Sequence, residues 1–332
     1  MACPEHIELS DFIKSVHRGL RRRSREVGAV QAWEEHCSDG EKLQKYAISM
    51  KKLATTYWDR NNTRDDGGST CRIGWVVSKC RHYFTLGGEA VEDCRETKMC
   101  LKFFNREMSN DGILSEGAEV GKISLLDVGS CYNPFGAFSS EFEVTAIDLA
   151  PASGEVMKCD FLRLNCGTKK VVESGVCLEL PSSSFDVVVF SLLLEYIPCS
   201  RERFTACEKA FALTRPGGLL FILTPDSKHP TANSRAMRRW RITLAGIGFW
   251  RVAYEKSKHL HCMAFRKCKD PGVGKAWARL QGFDNGPHDL MTIPQDFTDI
   301  GDKEDQKVDT ERVPDLEIAE YFCMMPDGDY FD

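Results

Sequence analysis

The amino-acid sequence predicts an α/β fold: a mainly parallel sheet with helices on both faces, closed by an antiparallel hairpin and preceded by a helical amino-terminal region. Short apolar runs alternate with helix-periodic segments from residue 123 onward, which implies parallel strands joined by crossovers. Two later apolar segments, 249–254 and 260–265, are separated by only a few residues, too few for a parallel crossover, so they must pair antiparallel. Before the sheet, Ile13, Val16 and Leu20 recur at three- and four-residue steps, the period of an amphipathic helix.

In chain order, residues 10–104 are helical in character, interrupted at 59–70 by a stretch rich in Asn, Asp and Gly that reads as a loop. A helix over 73–84 stops at Gly87-Gly88. Strands follow at 123–128, 143–148, 155–159, 185–193 and 219–223, the last introduced by the turn Arg215-Pro216-Gly217-Gly218. Helices are expected between them, most clearly over 200–213, and another over 231–246 precedes the hairpin. The chain therefore divides into a helical region at 1–115, a sheet domain at 116–270 and an acidic tail at 271–332, expected to be disordered, whose end from 295 cannot bury enough apolar surface to fold alone.

Composition narrows the function classes. With 332 residues, 42% hydrophobic and 28% charged, the chain reads as an ordinary globular protein, and a net charge of −5 gives no global attraction to nucleic acid. The first ten residues lack the apolar core of a secretory signal, and no run reaches the roughly 18 apolar residues of a membrane span. Fifteen cysteines without one CxxC pair are expected to be reduced thiols in a cytoplasmic protein, with no structural metal site.

The chemistry-bearing positions gather where strands end. Gly129, in Leu125-Leu126-Asp127-Val128-Gly129-Ser130, lets a ligand approach the backbone because it has no Cβ. Asp148 closes the second strand about 20 residues on, the spacing of an acid that accepts both hydroxyls of a ribose. Asp160 and Phe161 follow the third strand, where an acid takes an adenine amino group and an apolar ring covers the base. Ser191 ends the fourth strand and reaches toward the same ligand's amino-acid part. This order, with the hairpin, is that of a class I S-adenosylmethionine (SAM)-dependent methyltransferase sheet, Rossmann-like but distinct from nicotinamide-binding folds. After Ser191 the chain reads Leu192-Leu193-Leu194-Glu195-Tyr196, without the Asn/Asp-Pro-Pro-aromatic motif that holds an amino group for methylation. Glu195 reads as a solvent-facing helix acid or a base, His259 and His261 as rim or core residues, and the basic groups at 17–25 and 235–241 as solvated faces or anion contacts.

Longer strings carry a resemblance. Lys14-Ser15-Val16-His17-Arg18, Arg25-Glu26-Val27-Gly28, Asp127-Val128-Gly129-Ser130-Cys131-Tyr132-Asn133-Pro134-Phe135 and Lys158-Cys159-Asp160-Phe161 stand in the amino-terminal half. Val188-Val189-Phe190-Ser191-Leu192-Leu193-Leu194, Thr224-Pro225-Asp226-Ser227, His261-Cys262-Met263-Ala264-Phe265-Arg266-Lys267 and Ile293-Pro294-Gln295-Asp296-Phe297 complete them. Together they resemble the family of SAM sensors that act upstream of the TOR kinase complex, itself similar to fungal ribosomal RNA adenine-N1 methyltransferases. The resemblance implies SAM contacts at Gly129, Asp148, Asp160, Phe161 and Ser191, and adds Arg72, in Arg72-Ile73-Gly74-Trp75, for the ligand's carboxylate. It implies inhibition of TOR complex 1 when SAM is scarce, through binding to the GATOR and KICSTOR complexes, and lysosomal association through them. The fungal relatives keep an active RNA or protein methyltransferase open.

Overall fold

A computed structural model describes residues 4–58, 71–106, 108, 121–226, 230–257, 260–282 and 291–297. The amino-terminal region is helical as its periodicity requires: α1 (Pro4–Val27), α2 (Ala29–Ser38), α3 (Gly40–Lys52), α4 (Arg72–Cys80) and α5 (Gly88–Phe104). Helix α1 buries Ile13, Val16 and Leu20, the stripe read from the sequence. Asp39 caps α3 by accepting a hydrogen bond from the Lys42 amide at 3.1 Å, satisfying one of the donors that a helix start leaves open. The stretch at 59–70 lies outside the described residues.

The sheet contains β1 (Ile123–Val128), β2 (Phe142–Asp148), β3 (Met157–Lys158), β4 (Asn165–Gly167), β5 (Val171–Glu173), β6 (Val176–Pro181) and β7 (Phe185–Ser191). After helix α6 (Ser200–Leu213) come β8 (Thr214–Pro225), helix α7 (Pro230–Ile247), β9 (Phe249–Lys256) and β10 (Leu260–Lys267). Spatial order is β4-β6-β3-β2-β1-β7-β8-β10-β9, with β5 beside β6. The core strands β3, β2, β1, β7 and β8 are parallel, and β10 runs antiparallel to both β8 and β9. The predicted parallel sheet and terminal hairpin are therefore present.

Side-chain alternation splits the core in two. Leu125, Val187, Val189 and Phe221 face one way and join Ile73, Trp75, Val76 and Tyr83 from α4 and its continuation. Leu126, Val128, Val188, Phe190 and Leu220 face the other way and meet Leu20, Ala32 and Trp33 of α1 and α2, together with α6 and α7. The helical region thus supplies cover to both faces.

Three local differences from expectation have physical causes. The β1–β2 connection holds only the 3-10 turn Pro134–Phe138, and α4 takes the place of a crossover helix on that face. Between β3 and β7 the chain forms β4–β6, whose burial is too patchy and whose lengths are too short to show a period. Arg215-Pro216-Gly217-Gly218 is not a turn before the strand but a bulge within β8: Phe185 pairs with Thr214, and the next registered pair is Val187 with Leu219. Gly217 carries φ 79° there, and its carbonyl accepts from the Tyr83 hydroxyl at 2.8 Å.

The beginning of the expected tail is ordered into the body. Residues 271–280 form helix α8 (Pro271–Leu280), which buries Val273 and Trp277. Met291 and Ile293 lie in the core beside α7. Arg203, with no exposed surface, donates to the Met291 carbonyl at 2.9 Å and forks onto Asp296 at 2.7 and 2.8 Å. Residues 298–332 lie outside the described residues.

Candidate functional site

β1 and β2 end side by side, with Val128 opposite Ile147, so the loops after them open at one sheet edge. The amides of Gly129 and Ser130 both donate to the Ile147 carbonyl, at 2.9 and 3.1 Å, folding the chain sharply back. Gly129 has φ 75°, and a Cβ there would stand 3.1 Å from Leu193 Cδ1. Cys131 and Asn133 also hold left-handed backbone, φ 60° and 59°, a strain that a surrounding structure must stabilise.

That strained loop aims one amide at the predicted ribose acid. Asp148 Oδ2 accepts from the Cys131 amide at 2.9 Å and Oδ1 from Ala150 at 2.8 Å, leaving each oxygen a further lone pair. Burial pushes its pKa up to about 6, against the two amide hydrogen bonds. Across the opening, β7 ends at Ser191, whose buried hydroxyl has no hydrogen-bond partner among the described residues. Leu192 then turns with φ 61°.

These groups line one cleft, open to solvent, whose walls include Gly129, Asp148, Phe161 and Ser191, four of the six predicted residues. Its opposite wall comes from the helices: Trp33 of α2, and Tyr46, Ala47 and Met50 of α3. Tyr196 joins the walls, its ring 5.1 Å from Tyr46 and 5.8 Å from Trp33, and its hydroxyl bonds to His36. His17 bonds to the Tyr46 hydroxyl at 2.7 Å. Burial drives the pKa of His17 down to about 3 and of His36 to about 4, so both imidazoles are neutral at physiological pH.

The other two predicted residues stand behind the walls. Asp160 Oδ1 accepts from the Leu162 amide at 3.0 Å and Oδ2 from the Trp33 indole N–H at 3.0 Å, so the predicted adenine acid is held by a helix outside the sheet. Arg72, the first residue of α4, donates to the Tyr132 hydroxyl at 3.4 Å, behind the glycine loop. It also lends charge to Asp127, a residue the motif contained but sequence reasoning did not single out. Asp127 is 2% exposed, one of its oxygens has no partner among the described residues, and burial pushes its pKa up to about 7. An acid between the apolar residues Leu125, Leu126 and Val128 of a buried strand was the available signal.

Glu195 corrects its sequence reading. It is 6% exposed rather than solvent-facing, bonded to the Thr224 hydroxyl, and its backbone carbonyl accepts from buried Arg21 at 3.3 Å. Burial raises its pKa. The reversal follows from α1, which covers this position and could not be placed from local sequence. The basic run on α1 is largely engaged: Arg21 is buried, and Arg23 pairs with Glu35 at 2.7 Å and Glu26 at 3.3 Å. His261 is a core residue between Tyr254 and Asp226, at 2.8 and 3.1 Å, while His259 lies outside the described residues. Among the described residues no three His, Cys, Asp or Glu side chains converge to hold a metal ion, and no helix is long and apolar enough to cross a membrane.

The strand order, the glycine turn and the acid after β2 define a class I SAM-dependent methyltransferase-type protein. Residues 97–288 match the family described as "25S rRNA (adenine(2142)-N(1))-methyltransferase, Bmt2". The chain is 36% identical over 359 residues to a Xenopus tropicalis protein named "S-adenosylmethionine sensor upstream of mTORC1", covering 99% of this chain and 86% of that protein. A Danio rerio protein of the same name is 37% identical over 352 residues, covering 98% and 86%. The chain belongs to this family of S-adenosylmethionine sensors upstream of mTORC1. Among solved structures it is similar to N-methyltransferase NodS from Bradyrhizobium japonicum in complex with S-adenosyl-L-homocysteine, at 15% identity and TM-score 0.30 over 54% of this chain and 86% of that one.

Proposed function

We propose that the cleft binds SAM and that its occupancy, read by partner proteins, is the output. The residues fit the ligand. Gly129 leaves room for close backbone approach, the free lone pairs of Asp148 suit a ribose diol, and Phe161 offers an apolar surface to a base. Asp160, next to the wall residues Cys159 and Phe161, would take the adenine amino group and Ser191 the methionine part, while Arg72 would act on the carboxylate from behind the glycine loop. When bound, SAM supplies an electrophilic methyl group on a sulfonium.

The observation that carries the sensor reading is the mixed origin of the walls. Trp33, Tyr46, Ala47 and Met50 come from the helical region, and Gly129, Asp148, Phe161 and Ser191 from the sheet edge. A ligand touching both necessarily favours the arrangement in which both are in place. By kinship with the sensors, the partners are the GATOR and KICSTOR complexes, which would favour the ligand-free arrangement and restrain TOR complex 1 when SAM is low. Linkage makes the effect reciprocal: coupling of about 1–3 kcal/mol changes each affinity roughly 5–150-fold. Recovery of both complexes on immobilised full chain should fall across a SAM titration. Equal recovery at zero and saturating SAM would refute it.

The match of residues 97–288 to a ribosomal RNA methyltransferase family favours a second reading, methyl transfer to RNA or protein. Against the amino-group subclass, Ser191–Tyr196 carries no amide or proline to hold a target nitrogen. Transfer of labelled methyl to cellular RNA or protein, abolished in Asp148→Ala, would establish it.

A further inference from the structure

Resting on the SAM-binding reading, we infer that Trp33 of α2 is a positioning residue that sets the cleft's specificity for adenine by fixing the Asp160 carboxylate. Three observations converge. Trp33 is 5% exposed and lines the cleft with Cys159, Phe161 and Leu162, the residues that flank Asp160 in the chain. Its indole N–H has one hydrogen bond, to Asp160 Oδ2 at 3.0 Å, and that oxygen's other neighbour is the weak donor Cys37 Sγ at 3.8 Å. Oδ1 is held separately by the Leu162 amide at 3.0 Å.

A carboxylate side chain on a loop can turn about two bonds. Gripped at both oxygens by donors on different elements, it keeps one orientation and presents its remaining lone pairs as acceptors only. Such a group attracts the adenine amino group and repels the carbonyl oxygen that hypoxanthine has at the same place. The Leu162 amide holds Asp160 from within its own loop, whereas Trp33 holds it from the helical region. The discrimination therefore depends on α2 being docked.

The test compares S-adenosyl-L-homocysteine with S-inosyl-L-homocysteine, in which a carbonyl replaces that amino group and N1 gains a proton, by calorimetry on the full chain. Wild type should prefer the adenosyl compound. Trp33→Phe keeps an apolar ring, removes the N–H, and should lower the preference about tenfold, the scale of one hydrogen bond to a charged group. Benzothienylalanine at position 33 replaces the N–H by sulfur at almost unchanged volume and should do the same, should the Phe variant fold poorly. In Asp160→Asn the preference should collapse, and adding Trp33→Phe should change nothing more. A merely structural Trp33 would weaken both ligands equally and leave the ratio unmoved, which would overturn the inference. Failure of wild type to bind the adenosyl compound at all would instead remove the SAM-binding reading beneath it.

Discussion

Asp148 shows how one side chain can be poised by its surroundings. Its pKa of about 6 means that the acceptor form a ribose diol needs is lost on mild acidification. SAM affinity should therefore fall as pH drops from 7 to 5, and the residual binding of Asp148→Asn should lack that slope. Asp127 bears on stability instead. Its pKa, raised to about 7, lies above that of an unfolded carboxylate, so the folded state keeps the proton longer. The associated stability is complete below the unfolded carboxylate range and is lost progressively as pH rises to about 7, on the order of 4 kcal/mol in all. Denaturant titrations should show the stability difference between wild type and Asp127→Asn shifting against wild type from pH 5 to pH 7 and levelling off above it, the slopes from Asp148, His17 and His36 being common to both. At Gly129, alanine meets a left-handed backbone, a cost of about 1–2 kcal/mol, and its Cβ points at Leu193 in the cleft wall. Gly129→Ala should remain folded by circular dichroism while losing at least about tenfold in SAM affinity. Gly129 and Asp148 were legible in the sequence because strand ends and spacing define them. The burial of Glu195 and the grip of Trp33 on Asp160 were not, since each depends on residues more than a hundred positions away.

Elements were legible to the extent that they were long and periodic. Helix α7 and the β9–β10 hairpin emerged within a few residues of their predicted ends, because each buries a regular pattern. The β8 bulge was read as a turn because Pro and Gly signal both, and only register with β7 distinguishes them. Helix α5 is joined to the sheet by charge: Arg266 of β10, 1% exposed, bonds to Glu96 and Asp93. Removing one member of such a buried set leaves the others uncompensated, at about 3–5 kcal/mol. Arg266→Ala should lower the urea midpoint accordingly, and amide exchange should rise first in α5. Arg203 plays the same part for residues 291–297, and its Nε also donates to the carbonyls of Leu194 and Ile197 at 3.0 and 3.1 Å. Ile197 lines the cleft, so that arginine joins the carboxy-terminal segment to the ligand's surroundings.

At the scale of the molecule, ligand binding and stability are one equilibrium. SAM at a hundred times its Kd should add about 2.7 kcal/mol to the folded state, and Tm should rise by several degrees. Gly129→Ala, at least tenfold weaker, should gain at most about 1.4 kcal/mol at the same concentration, half the rise or less. A scan without ligand and another with S-adenosyl-L-homocysteine separate the two cases. The parallel pairing and the terminal hairpin were readable because alternating strands and helices, and a short link, permit few pairings. The position of the amino-terminal helices was not, because an apolar stripe shows that a helix is buried without showing what buries it.

That placement has a consequence for anyone who would cut the chain in two. Leu125, Val187, Val189 and Phe221 are roofed by α4, which precedes β1 in the chain and replaces the helix that a β1–β2 crossover would have provided. A fragment starting at residue 116 would be born with an oily flank open to water, and clumping rather than a tidy half-protein should greet its expression. Supplying residues 1–115 in trans should rescue part of it into the soluble fraction. The two stretches of chain are better regarded as shell and kernel of one nut than as beads on a string.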